Sequence, residues 1–290
     1  MPDECSRLIL GVWRVGQWGL NPSELATLIE GCLDLGIDTF DLADIYHGHQ
    51  CEPMFGAALS ASPALKSRIQ LISKCGIGLV TPERPLHRVQ HYNTSRGHIV
   101  ASAEHSLAVL GVERLDLLLI HRPDPLMDAD DVAAAFGDLQ RAGKVAAFGV
   151  SNFLPHQFDL LQSRLAEPLV TNQVEVSLLR TEPLFDGTLD QAQRLRIRPQ
   201  AWSPLGGGRL SKLPADSALG SALARLGQRL NATPEQLAIA WLLHHPARIH
   251  PILGSGQLAR LRLLTEAKNI LLDRQDWFEL LEAARGHKVP

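Results

Sequence analysis

The sequence predicts a (β/α)8 TIM barrel of the α/β class, and three observations support this prediction. Short apolar runs alternate with longer stretches of helical periodicity along the chain, which is typical of repeated βα units and a parallel sheet. There are about eight such runs, the strand number of a closed barrel. No Gly/Ser linker, charge block or composition shift divides the 290 residues, so we expect one barrel domain over residues 1–290.

The predicted strands are short apolar segments bounded by turn signals. They cover residues 8–12, 39–42, 70–74, 115–121, 146–150, 169–173, 199–202 and 250–253.

The predicted helices follow these strands and carry apolar residues at helical spacing. The first begins after Asn21-Pro22, an N-cap followed by proline in the first turn, and ends at Gly36. The predicted helices cover residues 23–35, 96–110, 130–142, 155–161, 217–230 and 234–244.

The longest gap without clear periodicity runs from residue 75 to residue 95, directly after a predicted strand. Loops of this length in compact domains are often functional lids. We therefore expect this segment to form a flap on the substrate side. The segment 209–216 is a second loop whose fold the sequence does not predict.

Composition and charge exclude several partners. The formal net charge of -3 comes from scattered basic and acidic residues, which argues against nucleic acid. No stretch approaches the roughly 20 apolar residues of a membrane span, and the start of the chain is acidic, without an apolar signal core. We therefore expect a cytoplasmic protein without a membrane partner.

Cysteine and histidine patterns do not indicate a metal site. The four cysteines lie far apart without a Cys-x-x-Cys pair, so we expect reduced, structural thiols. His47 with His49, or His87 with His91, could form metal-binding pairs, but no His-Glu-x-x-His motif or carboxylate cluster accompanies them. We therefore expect no metal.

A doubly wound dinucleotide-binding fold is the main alternative to the barrel. Cys75-Gly76-Ile77-Gly78 imitates the beginning of a Gly-x-Gly-x-x-Gly loop after a strand. Thr81 replaces the third glycine, and prolines at 82 and 85 interrupt the helix that would hold the pyrophosphate. The sequence therefore disfavours this alternative.

Three predicted strands end in polar residues. Asp41 and Tyr46 follow the second strand, Lys74 ends the third, and His121 ends the fourth. The carboxyl ends of barrel strands face the active site. These four residues are therefore candidates for a catalytic group.

The motifs around these residues, in this order, resemble those of the aldo-keto reductases. They are Asp-Leu-Ala-Asp-Ile-Tyr from position 41, Ile-Ser-Lys-Cys from 72, Leu-Leu-Leu-Ile-His-Arg-Pro-Asp from 117, Gly-Val-Ser-Asn from 149 and Ala-Trp-Ser-Pro-Leu-Gly-Gly-Gly from 201. The resemblance spans nearly the whole chain. Within the family, the segments from His121 and from Asp186 are most similar to the bacterial YdhF-like branch.

The resemblance implies NADP(H)-dependent reduction of an aldehyde or ketone to an alcohol. Tyr46 matches the family's general acid, and Lys74 would make its phenol, whose ordinary pKa is near ~10, a better proton donor. Asp41 would pair with Lys74, and His121 would hydrogen-bond the carbonyl oxygen. A small carbonyl compound is the implied partner, and family resemblance favours a monomer.

The resemblance also implies a cofactor site. Ser151, Asn152 and Gln173 match residues that bind the nicotinamide carboxamide, and Trp202 matches the aromatic ring that stacks on it. Ser255 and Arg260 match residues that grip the 2′-phosphate, although the family's common lysine is absent from this loop and Leu263-Leu264 replaces its Glu-Asn pair. The full predicted cofactor set comprises Gly11, Val12, Trp13, Ser151, Asn152, Gln173, Trp202, Ser203, Pro204, Leu205, Gly206, Gly207, Leu253, Gly254, Ser255, Gly256 and Arg260. Trp13 and Trp18 would either wall an apolar substrate cleft or be packing residues at the mouth of the barrel.

Two other functions remain open at this point. The chain could be an NADP(H)-binding redox-sensing or regulatory subunit with little turnover. It could also be an unrelated barrel lyase or isomerase that uses Lys74 as a Schiff-base nucleophile, but this would leave Tyr46 and Arg260 without a purpose. The sequence does not indicate which carbonyl compound is the substrate.

Overall fold

The structure, a computed structural model, describes residues 5–82 and 84–289, and eight parallel strands in it form a closed barrel. The strands follow one another around the barrel in chain order, and the first pairs with the last through Leu10 and Leu253. The TIM-barrel prediction is therefore confirmed. The strands are β1 (Ile9–Gly11), β2 (Thr39–Asp41), β3 (Gln70–Cys75), β4 (Leu115–Ile120), β5 (Val145–Ser151), β6 (Asn172–Glu175), β7 (Gln200–Trp202) and β8 (His250–Leu253).

Helices surround the barrel, and all but the last two lie between successive strands. They are α1 (Pro22–Asp34), α2 (Cys51–Ala61), α3 (Arg96–Leu110), α4 (Ala129–Arg141), α5 (Pro155–Gln162), α6 (Thr188–Leu195), α7 (Ala218–Leu230), α8 (Pro234–His244), α9 (Leu258–Thr265) and α10 (Arg274–Arg285). None of the helices in the described part of the chain is long and apolar enough to cross a membrane.

Local sequence signals explain where several helices begin. Helix α1 has the predicted cap, since Asn21 accepts from the Glu24 backbone N–H and the Glu24 side chain accepts from the Asn21 backbone N–H. Helix α8 repeats this capping box with Thr233 and Gln236. Proline stands in the first turn of both helices, where its missing N–H costs nothing.

Sequence periodicity missed four helices: α2, α6, α9 and α10. Helix α2 contains Pro53 and Gly56, which usually argue against a helix. The structure explains the glycine, because a Cβ at position 56 would collide with the backbone carbonyl of Val109 on α3. Helices α6 and α9 have only eight residues each, and neither has the first-turn proline that marks the start of the equally short α5.

One predicted strand was placed too early. The prediction 169–173 precedes the observed β6, whose paired residues begin at Asn172. Val170 already donates its backbone N–H to the Phe148 carbonyl, so the segment runs alongside β5 before the regular pairing starts. Apolar residues therefore mark where the chain approaches the sheet and not where its ladder begins.

The apolar side chains pack in two layers. Inside the barrel, Ile9, Ile72, Leu117, Leu119 and Ile252 form a small cluster. A larger cluster fills the space between the strands and the helices. Apolar packing inside the barrel gives way to buried polar side chains at the carboxyl ends of the strands, and these polar side chains form the candidate site.

The long loop after β3 is partly ordered by a short hairpin. Ile77–Gly78 pairs with His91–Tyr92 in an antiparallel arrangement. His87 and His91 lie edge to face, with ring centroids 4.8 Å apart. In the described ranges, no group of three or more His, Cys, Asp or Glu side chains is arranged to hold a metal ion.

Candidate active site

Lys74 is the centre of a buried hydrogen-bonded group at the carboxyl ends of β2 and β3. Its ammonium donates to Asp41 at 2.8 Å, to the backbone carbonyl of Leu42 at 2.7 Å and to the Tyr46 hydroxyl at 3.0 Å. Lys74 is 1% exposed and Asp41 is 3% exposed. The structure therefore brings together three of the four residues that the sequence singled out.

Burial and charge act in opposite directions on this group. Burial lowers the pKa of Lys74, but Asp41 and Tyr46 together raise it by a larger amount. The pKa is therefore above its ordinary value, and the lysine stays an ammonium. The Lys74 charge lowers the pKa of the Tyr46 phenol, but burial raises it by more, so the phenol is protonated at neutral pH.

His121, the fourth residue, lies beside Tyr46 with ring centroids 5.7 Å apart in an edge-to-face arrangement. It is 8% exposed. Burial first, and then the charges of Lys74 and Arg122, hold its pKa well below the usual range. The imidazole is therefore neutral and carries one N–H that it can donate.

Asp41, Tyr46 and His121 border a cavity of about 490 Å³ at the carboxyl end of the barrel. This volume is within the range of small-molecule and cofactor sites. Its walls include the predicted residues Gly11, Trp13, Asp41, Tyr46, His121, Ser151, Asn152, Gln173, Trp202, Ser203, Pro204, Leu205, Gly206, Gly207, Leu253, Gly254, Ser255 and Arg260.

Side chains that follow β5 form a chain of hydrogen bonds on one wall of this cavity. The Asn152 amide nitrogen donates to the Ser151 hydroxyl at 2.7 Å, and the Ser151 hydroxyl donates to the Gln173 backbone carbonyl at 2.9 Å. The Trp202 indole N–H donates to the Asn152 side-chain oxygen at 3.0 Å. These bonds fix the position of the indole at the edge of the cavity.

The glycine loop after β7 has a conformation that its sequence makes possible. Gly206, Gly207 and Gly208 have φ values of 60°, 67° and 93°, a region that favours glycine. A Cβ at Gly206 would also come within 2.6 Å of Leu179. Arg14 lies across this loop and donates to the Gly207 carbonyl at 3.3 Å. The Gly206 N–H donates to the Ser203 carbonyl and the Gly208 N–H to the Leu205 carbonyl, so the Gly207 N–H is the glycine amide of this loop that is left for an anionic group in the described part of the chain.

Arg260 lies at the far end of the cavity, in the first turn of α9. It is exposed and has no acidic partner in the described ranges. Helix N-termini carry partial positive charge, which adds to that of the guanidinium. This end of the cavity is therefore suited to a phosphate group.

Lys74 and three residues of the predicted cofactor and substrate sets are not among the residues that line the cavity. The three are Val12, Gly256 and Trp18. Trp18 packs against Gly256, where a Cβ would come within 2.5 Å of the indole. This contact favours the packing alternative for Trp18, against the loop after β8.

A family model described as the aldo/keto reductase family matches residues 7–285. The chain belongs to the aldo/keto reductase family.

Relatives of this aldo/keto reductase include oxidoreductase YdhF of Escherichia coli, which is 51% identical over 99% of this chain and 96% of the relative. The 6-dehydroglucose reductase of Agrobacterium fabrum is 46% identical over 99% of this chain and 96% of the relative. The predicted resemblance to the bacterial YdhF-like branch is thus confirmed. The crystal structure of an aldo/keto reductase from Klebsiella pneumoniae in complex with NADP and acetate has a TM-score of 0.78 at 22% identity, covering 99% of this chain and 93% of that one.

Sequence reasoning missed several residues of the aldo/keto reductase cavity. Arg122 directly follows His121, and its guanidinium lies 5.7 Å from the ring centre of Trp202. Its position next to His121 in the sequence could have indicated that Arg122 lies at the site. The other lining residues that were not predicted are Arg14, Glu175, Ile252 and Leu264.

The loop after β3 borders a separate, smaller cavity of about 260 Å³. The described residues of this loop, 75–82 and 84–95, contribute no lining residue to the larger cavity. Asp44, His98 and Arg84 are among the residues that line the smaller one. The predicted substrate-side flap is therefore not a wall of the candidate site in this structure.

Proposed function

We propose that this chain is an NADP(H)-dependent carbonyl reductase in which Tyr46 donates the proton to the carbonyl oxygen. The observation that carries the proposal is the 3.0 Å hydrogen bond from the buried Lys74 ammonium to the Tyr46 hydroxyl on the wall of the larger cavity. A charged donor aimed at the phenol oxygen stabilises the phenolate that remains after proton transfer.

The residues around the cavity fit the cofactor. Arg260, with the N-terminus of α9, would bind the 2′-phosphate, and the backbone of Gly206 and Gly207 would border the pyrophosphate. The side-chain oxygen of Gln173 lines the cavity and receives no hydrogen bond from the described protein groups, so it would accept from the carboxamide. When bound, the reduced cofactor supplies a hydride to the carbonyl carbon.

The protein supplies orientation and the proton. Neutral His121 would donate its N–H to the carbonyl oxygen and hold it near the Tyr46 hydroxyl. As negative charge develops on that oxygen, the Tyr46 proton moves to it, and the carbonyl group becomes an alcohol. Lys74 stabilises the phenolate, and Asp41 keeps the ammonium in place.

We propose a hydroxylated aldehyde as the substrate class to test first. The Agrobacterium relative is a 6-dehydroglucose reductase. In this chain, Arg14, Arg122 and Glu175 provide charged hydrogen-bonding groups on the cavity wall. Charged side chains can hydrogen-bond the hydroxyl groups of such a substrate, so 6-dehydroglucose and simpler hydroxyaldehydes should be compared with apolar aldehydes.

Tyr46→Phe tests the proton donor, because it removes the hydroxyl and keeps the ring. We expect kcat for carbonyl reduction to fall by about 10²- to 10⁴-fold, the usual contribution of a general acid. The Kd for NADPH, measured by quenching of protein fluorescence, should stay unchanged. Turnover near that of the wild type would reject the mechanism. If the wild type released product only after a single slow turnover, a redox-sensing subunit would be the better description.

Arg260→Ala tests the 2′-phosphate site. We expect the KM for NADPH to rise while the KM for NADH stays unchanged, since only NADPH carries the 2′-phosphate. Arg262→Ala is the matched control, because Arg262 is exposed on the same helix but does not line the cavity. Equal effects of the Arg260 substitution on both cofactors would exclude the 2′-phosphate role.

A further inference from the structure

Gln200 is a buried amide that the mechanism above does not use. It lies on β7 inside the barrel, directly beside Gln173 on β6 in the strand register, and it is 0% exposed. A buried amide is costly unless it is hydrogen-bonded. The side-chain oxygen of Gln200 accepts from the Gln173 amide nitrogen at 2.8 Å.

This hydrogen bond is one of two that the Gln173 amide nitrogen donates, and the donor and acceptor of both can be assigned. The Asp41 carboxylate holds the Lys74 ammonium and, being ionised, can only accept hydrogen bonds. The atom of Gln173 that lies 2.8 Å from Asp41 must therefore be its amide nitrogen. The second N–H of that nitrogen points to the Gln200 oxygen, which fixes the orientation of both amides.

The consequence concerns the other end of the Gln173 amide. Both of its N–H groups are used inside the barrel, so its oxygen is the atom left to face the larger cavity. An oxygen fixed in this way accepts a hydrogen bond but donates none. It discriminates between a carboxamide, which can donate an N–H, and a group of similar shape that cannot.

We propose that Gln200 is a positioning residue that holds the Gln173 oxygen toward the carboxamide of the nicotinamide ring. This inference rests on the proposed role of Gln173 in cofactor binding. It also connects that role to the proton donor, because Asp41 accepts from Gln173 and from Lys74 at the same time. Loss of the Gln200 oxygen would leave one buried N–H of Gln173 without a partner, and the amide would turn to regain one.

The test compares NADPH with its 3-acetylpyridine analogue, whose acetyl group lacks the N–H. The Kd of each is measured by fluorescence quenching for the wild type and for Gln200→Met, Gln200→Glu and Gln173→Met. Methionine keeps the unbranched shape but has no strong acceptor. Glutamate keeps an acceptor oxygen in the same position, and at pH 6 burial next to Asp41 keeps it protonated.

We expect the wild type to bind NADPH about tenfold more tightly than the analogue, the equivalent of one hydrogen bond. Gln200→Met should reduce this ratio to near one, and Gln200→Glu should restore it. A general loss of packing would weaken both ligands without changing their ratio. If Gln200→Met does not fold, Gln200→Asn, which is one methylene too short to reach Gln173, takes its place.

Three results would contradict either the proposed role of Gln200 or the role of Gln173 on which it rests. If Gln173→Met loses the discrimination but Gln200→Met keeps it, Gln200 is not a positioning residue and the role of Gln173 stands. If Gln200→Met and Gln200→Glu lose the discrimination equally, an acceptor oxygen at position 200 is not what orients the Gln173 amide, and the proposed role of Gln200 is wrong. If Gln173→Met keeps the wild-type ratio, the proposed contact between Gln173 and the carboxamide is wrong.

Discussion

The ion pair of Asp41 and Lys74 makes a quantitative prediction about stability. Lys74→Met removes the donor to Asp41, to the Leu42 carbonyl and to Tyr46, and leaves a carboxylate that is 3% exposed without its counter-charge. Removing one partner of a buried ion pair costs about 3–5 kcal/mol. Asp41→Asn should cost a similar amount, because it leaves the Lys74 ammonium buried without a counter-charge.

The double variant Asp41→Asn/Lys74→Met should be less destabilised than the sum of the two single variants. It holds no unpaired buried charge, and the side-chain oxygen of the introduced asparagine can still accept from Gln173. We expect the double variant to cost no more than either single one, which corresponds to a coupling free energy of about 3 kcal/mol.

Urea unfolding at pH 7, followed by far-UV circular dichroism, measures this coupling. Tyr46→Phe is the control, since it removes a hydroxyl but no charge and should cost about 1 kcal/mol. Additivity of the two single effects within about 0.5 kcal/mol would refute the electrostatic account of this group. All three variants with an altered Asp41 or Lys74 should lose carbonyl reduction, so stability and activity are scored separately.

Two further predictions concern residues outside that group. Burial raises the pKa of Asp44 to about 7, so folding favours its protonated form and the carboxyl destabilises the fold increasingly as pH rises from about 4 to 7. Asp44→Asn should therefore raise the free energy of unfolding at pH 8 by up to about 4 kcal/mol, at about 1.36 kcal/mol per pKa unit. At pH 4 the gain should be small, and an equal gain at both pH values would contradict this explanation. Gly207 has a φ of 67°, so Gly207→Ala should lower the free energy of unfolding by about 1–2 kcal/mol and should also weaken NADPH binding. Gly36, at φ 72° and away from the cavity, is the control: Gly36→Ala should lower stability by the same amount and leave the Kd for NADPH unchanged. A normal NADPH affinity in the Gly207 variant would mean that the loop does not contact the cofactor.

The fold could be predicted from the sequence because its signals are local. Alternating apolar runs and helical periods, with caps such as Asn21-Pro22, indicated the barrel, and the order of motifs indicated the family. Sequence patterns gave no information on which polar strand-end residues share hydrogen bonds. The pairing of Gln173 with Gln200 depends on the register between β6 and β7, which no local signal specifies.

Two tertiary contacts of single residues show the same limit. The sequence left Trp18 as either a wall of the substrate cleft or a packing residue at the mouth of the barrel. Its actual neighbour is Gly256, more than two hundred positions away in the chain, and only the folded barrel brings them together. Arg122 was overlooked because an arginine after a strand end is common and its approach to Trp202 is a tertiary contact.

The protonation states of Tyr46, Lys74 and His121 favour one direction of the proposed reaction. Burial raises the pKa of Tyr46, and Lys74 stays charged, so at neutral pH the phenol holds a proton and the ammonium stabilises its loss. A general acid must start in this protonated form, whereas oxidation of an alcohol needs the phenolate, which forms only at alkaline pH. His121 adds to this preference, because its low pKa keeps it a neutral donor to a carbonyl oxygen across the same range. Under the proposed mechanism, we therefore expect carbonyl reduction to dominate at neutral pH and alcohol oxidation to gain only as pH approaches the raised pKa of Tyr46.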